Sequence, residues 1–323
     1  MKHFADRLSF AIRDKGNAVC VGLDPRWENL PNEIKARHGA GSLEAVAAAY
    51  EEFGSQIIDV VAPLVPVVKP QSAFFEACGP AGLAALQRLL RRAREHGMLT
   101  ILDSKRNDIA STAAAYADAA FDGLEVGGRR LPVWDADALT VNPYLGRDGV
   151  EPFLQAARRA AGAVFILVRT SNPGAGQFQN LVCAGRPLFL HVAAAVRDWT
   201  RENLGRCGFG DVGAVVGATH PAELAQVREA LPEVYFLIPG YGAQGGSAAA
   251  TAAAFRADGL GAVVNSSRGI ISAFSPEDAN WKMKVEQATR AAIDELAAAT
   301  PMGSLPRHGS RIVNPQAHGD VAE

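Results

Sequence analysis

Residues 98–108 read Met-Leu-Thr-Ile-Leu-Asp-Ser-Lys-Arg-Asn-Asp, an apolar run that ends in a cluster of charged side chains. An alanine-rich segment with helical spacing follows, from residue 109 to residue 121. Strand, charged turn and helix in this order are typical of α/β proteins, which place their chemistry at such turns. Because residues two apart in a strand share a face, Asp103 and Lys105 are predicted to point the same way, with Asp108 at the mouth of the helix.

A surface interpretation of this cluster competes with a functional one. An aspartate before an alanine-rich helix is typical of an N-cap, in which the carboxylate accepts backbone N–H bonds. Asp103 and Lys105 also fit a solvated ion pair, which contributes little to stability. The pattern of the rest of the chain decides between the two interpretations.

The same strand-then-helix pattern recurs along the chain. Apolar runs rich in Val, Ile, Leu and Ala predict eight strands, at residues 18–23, 65–68, 99–102, 138–141, 163–168, 213–217, 235–238 and 261–264. Helical periodicity occurs at residues 4–15, 43–61, 82–96, 109–121, 151–161, 188–204, 221–231, 247–256 and 276–299. Near-continuous apolar runs are typical of parallel strands that are buried on both faces.

Eight such units predict an α/β fold, a single (β/α)8 TIM barrel over residues 1–299. A doubly wound open sheet is the alternative, but no break in composition divides the chain into two domains. Residues 300–323 are rich in Pro, Gly, Ser and His and lack apolar periodicity, so we expect a loosely ordered C-terminal tail.

Composition limits the classes of function. The chain has 323 residues, 48% of them hydrophobic, and a net charge of −2, which gives no reason to expect nucleic-acid binding. No apolar run reaches membrane-spanning length and no signal peptide is visible, so we expect no membrane partner. The four cysteines are scattered and form no metal-binding spacing, which favours the reducing cytoplasm.

Polar side chains follow the predicted strands at the point where each strand ends. They are Asp24, Lys69, Asp103 with Lys105, Asn142, Thr170 with Ser171, Thr219 with His220, the loop 240–246, and Arg268. In a barrel the carboxyl ends of all strands meet at one face, where active sites lie. Two carboxylates and two lysines from three successive strands would then share one small space, where alternating signs allow them to pair.

The loop 240–246 matches the pattern G-x-G-x-x-G. A dinucleotide site is disfavoured, because no acidic residue ends the next strand about 20 residues on. Glycines of this kind also expose backbone N–H groups to a phosphate, and barrels bind phosphate with the loops after strands seven and eight. Arg268, at the end of strand eight, adds a permanently charged bidentate donor. The combination predicts a phosphorylated small molecule as the ligand.

At this point the sequence resembles a known family. The Asp-x-Lys-x-x-Asp pattern of Asp103, Lys105 and Asp108 is similar to the signature of the orotidine 5′-phosphate decarboxylases. Further pieces occur in the family's order: Gly-Leu-Asp-Pro at 22–25, Lys-Pro at 69–70, Val-Asn-Pro-Tyr-Leu-Gly at 141–146, Arg-Thr-Ser-Asn-Pro-Gly at 169–174, the loop 239–246 and Ser-Arg-Gly at 267–269. The resemblance covers about residues 20–270 and is closest to the longer bacterial, type 2 branch.

The resemblance implies a cofactor-free, metal-free conversion of orotidine monophosphate to uridine monophosphate (UMP) and carbon dioxide, the last step of UMP biosynthesis. Lys105 would stabilise the charge that develops on C6 and then protonate it, while Asp103 would lie beside the substrate carboxylate. Asp24 and Lys69 would hold the ribose hydroxyls.

The resemblance also implies further substrate contacts. Ser171 would contact the pyrimidine, Gln244 would bridge base and phosphate as its loop closes, and Arg268 would bind the phosphate. Asn142, Pro239 and Ser267 lie in matching motifs and are expected to contact substrate. Asp108 and Thr112 would reach into the neighbouring subunit's site, which implies a homodimer.

Two other functions remain open at this stage. The magnesium-dependent keto-gulonate-phosphate decarboxylases share the Asp-x-Lys-x-x-Asp barrel but need a carboxylate after strand two, where this chain has Lys69. A catalytically dead nucleotide-binding or scaffold protein is the other alternative. A Lys105→Ala protein would discriminate, because only an enzyme loses turnover while keeping nucleotide binding.

Overall fold

Eight parallel strands close into one barrel in the structure, a computed structural model that describes residues 3–242 and 245–306. The strands are β1 (Val19–Leu23), β2 (Val67–Pro70), β3 (Leu99–Arg106), β4 (Ala138–Val141), β5 (Ala163–Arg169), β6 (Val212–Val216), β7 (Phe236–Ile238) and β8 (Ala262–Ser266). Each strand pairs with its neighbours in sequence, and β1 closes the ring on β8 with Val19 opposite Val264. The predicted (β/α)8 barrel is confirmed, and the open sheet is wrong.

Helices cover the outside of the barrel. They are α1 (Phe4–Lys15), α2 (Asn32–His38), α3 (Leu43–Val61), α4 (Ser72–Glu76), α5 (Gly79–Glu95), α6 (Ala110–Ala120), α7 (Arg147–Arg159), α8 (Gly176–Gln179), α9 (Leu188–Arg201), α10 (Pro221–Ala230), α11 (Arg268–Ile271) and α12 (Trp281–Ala299). The barrel strands lie between the barrel interior and the surrounding helices. They are therefore buried on both faces, which explains their continuous apolar runs.

Several predicted elements differ from the structure. The segment predicted as a helix at 247–256 forms a 3₁₀-helix at Ala249–Ala254. Two short hairpins, Leu124–Val126 with Arg129–Leu131 and Val182–Cys183 with Arg186–Pro187, were not predicted. Strands of two or three residues are too short to show a period in the sequence.

The first residues of the predicted tail belong to the packed domain. Pro301–Ser304 form a 3₁₀-helix, and the side chains of Met302 and Leu305 are buried. The sulfur of Met302 accepts a hydrogen bond from the backbone N–H of Ala18, just before β1 (3.2 Å). A tail that begins at residue 300 is therefore wrong, because these two side chains cover the amino end of the barrel. Residues 307–323 of the predicted tail lie outside the described residues.

No helix within the described ranges is both long and apolar enough to cross a membrane.

Candidate active site

A cavity of about 520 Å³ opens at the carboxyl ends of the strands. Every barrel strand or the loop after it contributes to its wall. The lining residues are Asp24, Lys69, Gln71, Asp103, Lys105, Thr140, Leu167, Thr170, Ser171, Asn172, Gln179, Val215, Leu237, Pro239, Gly240, Tyr241, Asn265, Ser267 and Arg268. The predicted convergence of strand ends is thus present in the fold.

The floor of this cavity is shaped by a bulge in β3. The pairing of β3 with β4 runs regularly to Leu102 and resumes only at Arg106, which faces Val141. Between these points Lys105 adopts φ +46°, a left-handed conformation that is uncommon outside glycine. The bulge leaves the Asp103 and Lys105 side chains on the cavity side, in contact with each other.

Asp103 is the centre of a buried charge network. Its Oδ2 accepts hydrogen bonds from the ammonium of Lys69 (2.8 Å) and the amide of Gln71 (3.0 Å). Its Oδ1 accepts from the ammonium of Lys105 (2.7 Å) and the hydroxyl of Thr140 (2.8 Å). Asp103 is only 6% exposed and Lys69 only 4%. The surface interpretation is therefore wrong for the Asp103 carboxylate, which is buried, while the Lys105 side chain that pairs with it is 45% exposed.

The charges of this network decide which groups are ionised. Burial raises the pKa of the Asp103 carboxyl, but the attraction of Lys69 and Lys105 outweighs it and holds that pKa well below its usual range. Burial lowers the pKa of Lys69, but the negative charges of Asp103 and Asp24 raise it by more, so the pKa of Lys69 lies above its ordinary value. At neutral pH the pair is therefore a carboxylate and an ammonium.

The β1–β8 side of the cavity contains polar atoms that lack a partner. Asp24 Oδ1 and Asn265 Oδ1 are buried, and neither has a hydrogen-bond partner among the described residues. Buried acceptors of this kind are costly unless something donates to them. Both residues line the cavity, so a ligand with hydroxyl groups would satisfy them.

A network of hydrogen bonds holds the loop that follows β5. The side-chain oxygen of Gln179 accepts from the backbone N–H of Thr170 (2.9 Å), and its amide donates to the Thr170 hydroxyl (2.8 Å). The Thr170 hydroxyl in turn donates to Asn172 (2.6 Å). These bonds present Ser171, between them, to the cavity.

Glycines shape the opposite wall, after β7. Gly240, Gly242 and Gly245 have φ values of +94°, +72° and +91°, which side chains other than glycine rarely adopt. The backbone N–H of Gly246 returns to the carbonyl of Gly240 (3.0 Å), so the described part of the loop curls back beside Arg268 and the other wall residues.

Comparison with known proteins identifies the family. The model of the orotidine 5′-phosphate decarboxylase / HUMPS family matches residues 17–282. The chain belongs to that family. The orotidine 5′-phosphate decarboxylase of Rhodopirellula baltica is 48% identical over 296 residues, which cover 90% of this chain and 97% of the relative. That of Caldicellulosiruptor bescii is 38% identical over 277 residues, 85% of this chain and 91% of the relative.

Solved structures of this decarboxylase family agree in fold. The OMP decarboxylase of Leishmania donovani has 34% sequence identity and a TM-score of 0.71, and the match covers 92% of this chain and 98% of that chain. The UMP synthase of the same organism has 36% identity and a TM-score of 0.73, with 93% of this chain covered. The match covers 57% of the synthase chain, so this chain spans a little over half of that longer protein.

Most residues predicted for the decarboxylase site come together in the cavity. They are Asp24, Lys69, Asp103, Lys105, Ser171, Pro239, Ser267 and Arg268. Three others are not among the lining residues. Asn142 accepts a hydrogen bond from the backbone N–H of Tyr144 (3.1 Å), Asp108 accepts one from the N–H of Ile109 (2.8 Å), and Thr112 is exposed on α6. Gln244 lies outside the described residues.

The N-cap interpretation of Asp108 is wrong, because the N-cap residue of α6 is Ile109 and no side chain caps that helix. Two further residues, Gln71 and Thr140, donate to Asp103 and are not among the residues predicted from the sequence. Each carries a detectable signal. Gln71 directly follows the strand end at Lys69-Pro70, and Thr140 is a polar residue in the otherwise apolar strand β4.

Proposed function

We propose that this chain decarboxylates orotidine 5′-phosphate to UMP and that Lys105 delivers the proton. The family and the curated relatives support the activity. The observation that carries the proposal is the chain of contacts Lys69–Asp103–Lys105, which is buried at one end and reaches the open cavity at the other. It presents a cation beside a carboxylate at the position where the substrate would react.

The chemistry needs these charges. When the bond between C6 and the carboxylate breaks, carbon dioxide leaves and the electron pair stays on C6. The ammonium of Lys105 would stabilise that developing charge and then transfer its proton to C6, which forms UMP. Preorganised charges aimed at the point where charge develops are usually the largest single contribution to such catalysis. Asp103 would lie beside the substrate carboxylate and favour its loss.

The remaining predicted residues would bind the substrate. We assign the ribose hydroxyls to Asp24 and Lys69, because Asp24 Oδ1 is buried without a donor among the described residues. Ser171 would contact the pyrimidine. The phosphate would lie between the β7 and β8 loops, where Pro239, Ser267 and Arg268 line the wall. Binding energy from this distant phosphate contributes to catalysis when it stabilises the closed site. Gln244 and Asn142 remain predicted contacts.

We further propose a homodimer in which Asp108 and Thr112 act in the neighbouring subunit's site. Both lie outside the cavity of their own chain but at the same end of the barrel. Exposed apolar side chains occur nearby, with Ile109 55% exposed at the start of α6 and Tyr144 84% exposed after β4. An apolar surface beside a catalytic motif is typical of a subunit interface.

The magnesium-dependent alternative within the family is disfavoured by Lys69. In this chain its ammonium lies 2.8 Å from Asp103 Oδ2, where a divalent cation would compete with a fixed positive charge.

The four cysteines are free, which supports the cytoplasm as the compartment. The net charge of −2 gives no basis for a nucleic-acid partner.

The test is the loss of ultraviolet absorbance when orotidine monophosphate is added to metal-stripped protein with chelator present. We expect rapid conversion to UMP by the wild-type chain. Lys105→Ala should lower turnover by at least about 10³-fold while UMP still binds. Activity only with magnesium on a different phosphosugar would contradict the proposal in favour of the sister enzymes. UMP binding without turnover by wild type would favour a nucleotide-binding protein.

A further inference from the structure

Thr140 occupies the third position of β4, and its side chain is buried against the bulge of β3. A threonine hydroxyl has one hydrogen to donate and two positions to accept. Here all three are used. The hydroxyl donates to Asp103 Oδ1 (2.8 Å) and accepts from the backbone N–H groups of Ser104 (3.0 Å) and Lys105 (2.9 Å).

These contacts replace the strand pairing that the bulge removes. In a regular parallel ladder every second N–H group of β3 would bond to a carbonyl of β4, but the register shifts between Leu102 and Arg106. The left-handed backbone at Lys105 is unfavourable for a residue with a Cβ and persists only when its surroundings hold it. The hydroxyl of Thr140 accepts hydrogen bonds from the N–H groups of both Ser104 and Lys105, so it stabilises the strained backbone of this segment.

We propose that Thr140 is a positioning residue for the decarboxylation. Its hydroxyl holds the Lys105 backbone in the conformation that directs the ammonium into the cavity, and it turns Asp103 Oδ1 toward the same point. This inference rests on the proposed roles of Lys105 and Asp103. Thr140 acts through these two residues.

The decisive variant is Thr140→Val, which keeps the shape of the side chain and removes the hydroxyl. Thr140→Ser restores the hydroxyl, and Thr140→Ala serves as a second hydroxyl-free variant in case the valine protein does not fold. The matched control is Thr100→Val in β3, the strand that carries Asp103 and Lys105. Thr100 is also buried, and its hydroxyl donates to Asp137 (3.0 Å) and accepts from the N–H of that residue (3.1 Å) at the opposite end of the barrel.

Two readouts are measured on the whole chain: kcat and KM for orotidine monophosphate, and exchange of the C6 hydrogen of UMP in D₂O by NMR. The exchange reports proton transfer at C6 without decarboxylation. We expect Thr140→Val and Thr140→Ala to lower kcat and the rate of C6 hydrogen exchange by about 10- to 100-fold, while KM changes by less than about threefold. Thr140→Ser should stay within about threefold of wild type, since it keeps the hydrogen-bond donor and acceptors. Thr100→Val should lose stability but keep kcat.

The inference is overturned if the hydroxyl-free variants keep wild-type kcat, if Thr140→Ser is as impaired as Thr140→Val, or if Thr100→Val loses kcat equally. Failure of the proposed function gives a different pattern. In that case wild type does not turn over orotidine monophosphate, or Lys105→Ala remains active. An active wild type and an inactive Lys105→Ala, together with a normal Thr140→Val, would overturn the role of Thr140 alone.

Discussion

Asp103 makes the stability of this protein depend on pH. The pKa of Asp103 in the folded protein lies below the ordinary value of an aspartate. The ionised carboxylate therefore stabilises the fold fully above the pKa of the unfolded chain, about 4, and this stabilisation is lost as the pH falls below that value. The positive charges of Lys69 and Lys105 are the cause of this favourable ionisation.

We therefore expect wild type to lose stability more steeply than Asp103→Asn between about pH 4 and pH 3. Above about pH 5 the difference in the free energy of unfolding between the two proteins should be constant, because Asp103 is ionised in both folded and unfolded wild type there. Urea unfolding at a series of pH values measures the free energy of unfolding of both proteins. Parallel curves down to pH 3 would contradict the assignment.

At the level of elements, β1 packs at Gly22 against two side chains at the end of β8, those of Asn265 and Ser267. A Cβ on this residue would lie 1.9 Å from Ser267 Oγ and 3.1 Å from Asn265 Oδ1, so any larger residue must displace the Ser267 side chain. Both neighbours line the cavity. Gly22 thus sets how closely the first strand can lie against the end of the last one.

Gly22→Ala should displace Ser267 and raise KM for orotidine monophosphate by about tenfold, with a loss of stability of about 1–3 kcal/mol from overpacking. Gly41→Ala is the matched control, because a Cβ there would meet nothing within 4 Å and should leave both quantities unchanged. Steady-state kinetics and urea unfolding of the two variants test this. A normal KM for Gly22→Ala would show that Ser267 can move without loss of substrate binding.

The barrel could be predicted from sequence because each buried parallel strand leaves a continuous apolar run in the chain. The eight predicted strands all exist, and the charged residues after them mark the cavity. The bulge in β3 could not be predicted, because the sequence Asp-Ser-Lys contains no glycine or other residue that favours the φ of +46° found at Lys105. The role of Thr140 depends on that bulge and was missed with it. The proposed place of Asp108 in a neighbouring subunit's site came from the resemblance alone, because one sequence does not contain the second chain.

For the whole molecule, the proposed shared site makes a quantitative prediction for mixed dimers. Lys105→Ala and Asp108→Ala should each be nearly inactive alone. When the two are unfolded together and refolded, half of the dimers are mixed, and one of the two sites in each mixed dimer has both native residues. About a quarter of wild-type activity per site should return. If Asp108 served its own chain's cavity, mixing would restore nothing.

The apolar surface beside the motif gives a second prediction for the assembly. Ile109→Lys places a charge at a 55% exposed position, so the monomer should fold normally while the dimer dissociates and activity falls. Phe10→Lys is the control, because Phe10 is also exposed but lies on α1, whose Arg7 pairs with Asp137 before β4, at the other end of the barrel. Light scattering after gel filtration reports the mass of both variants. Equal masses for the two would argue against an interface at Ile109.

The closure of β1 on β8 also has a consequence for how the chain folds during synthesis. Val19 pairs with Val264, so the first strand to leave the ribosome must wait for the last one before the sheet can close. Until then the nascent chain has two open sheet edges, at β1 and at the newest strand, and open edges are where chains aggregate. Chaperone demand should therefore be highest for chains that have emerged past β7 but not yet past Ser266.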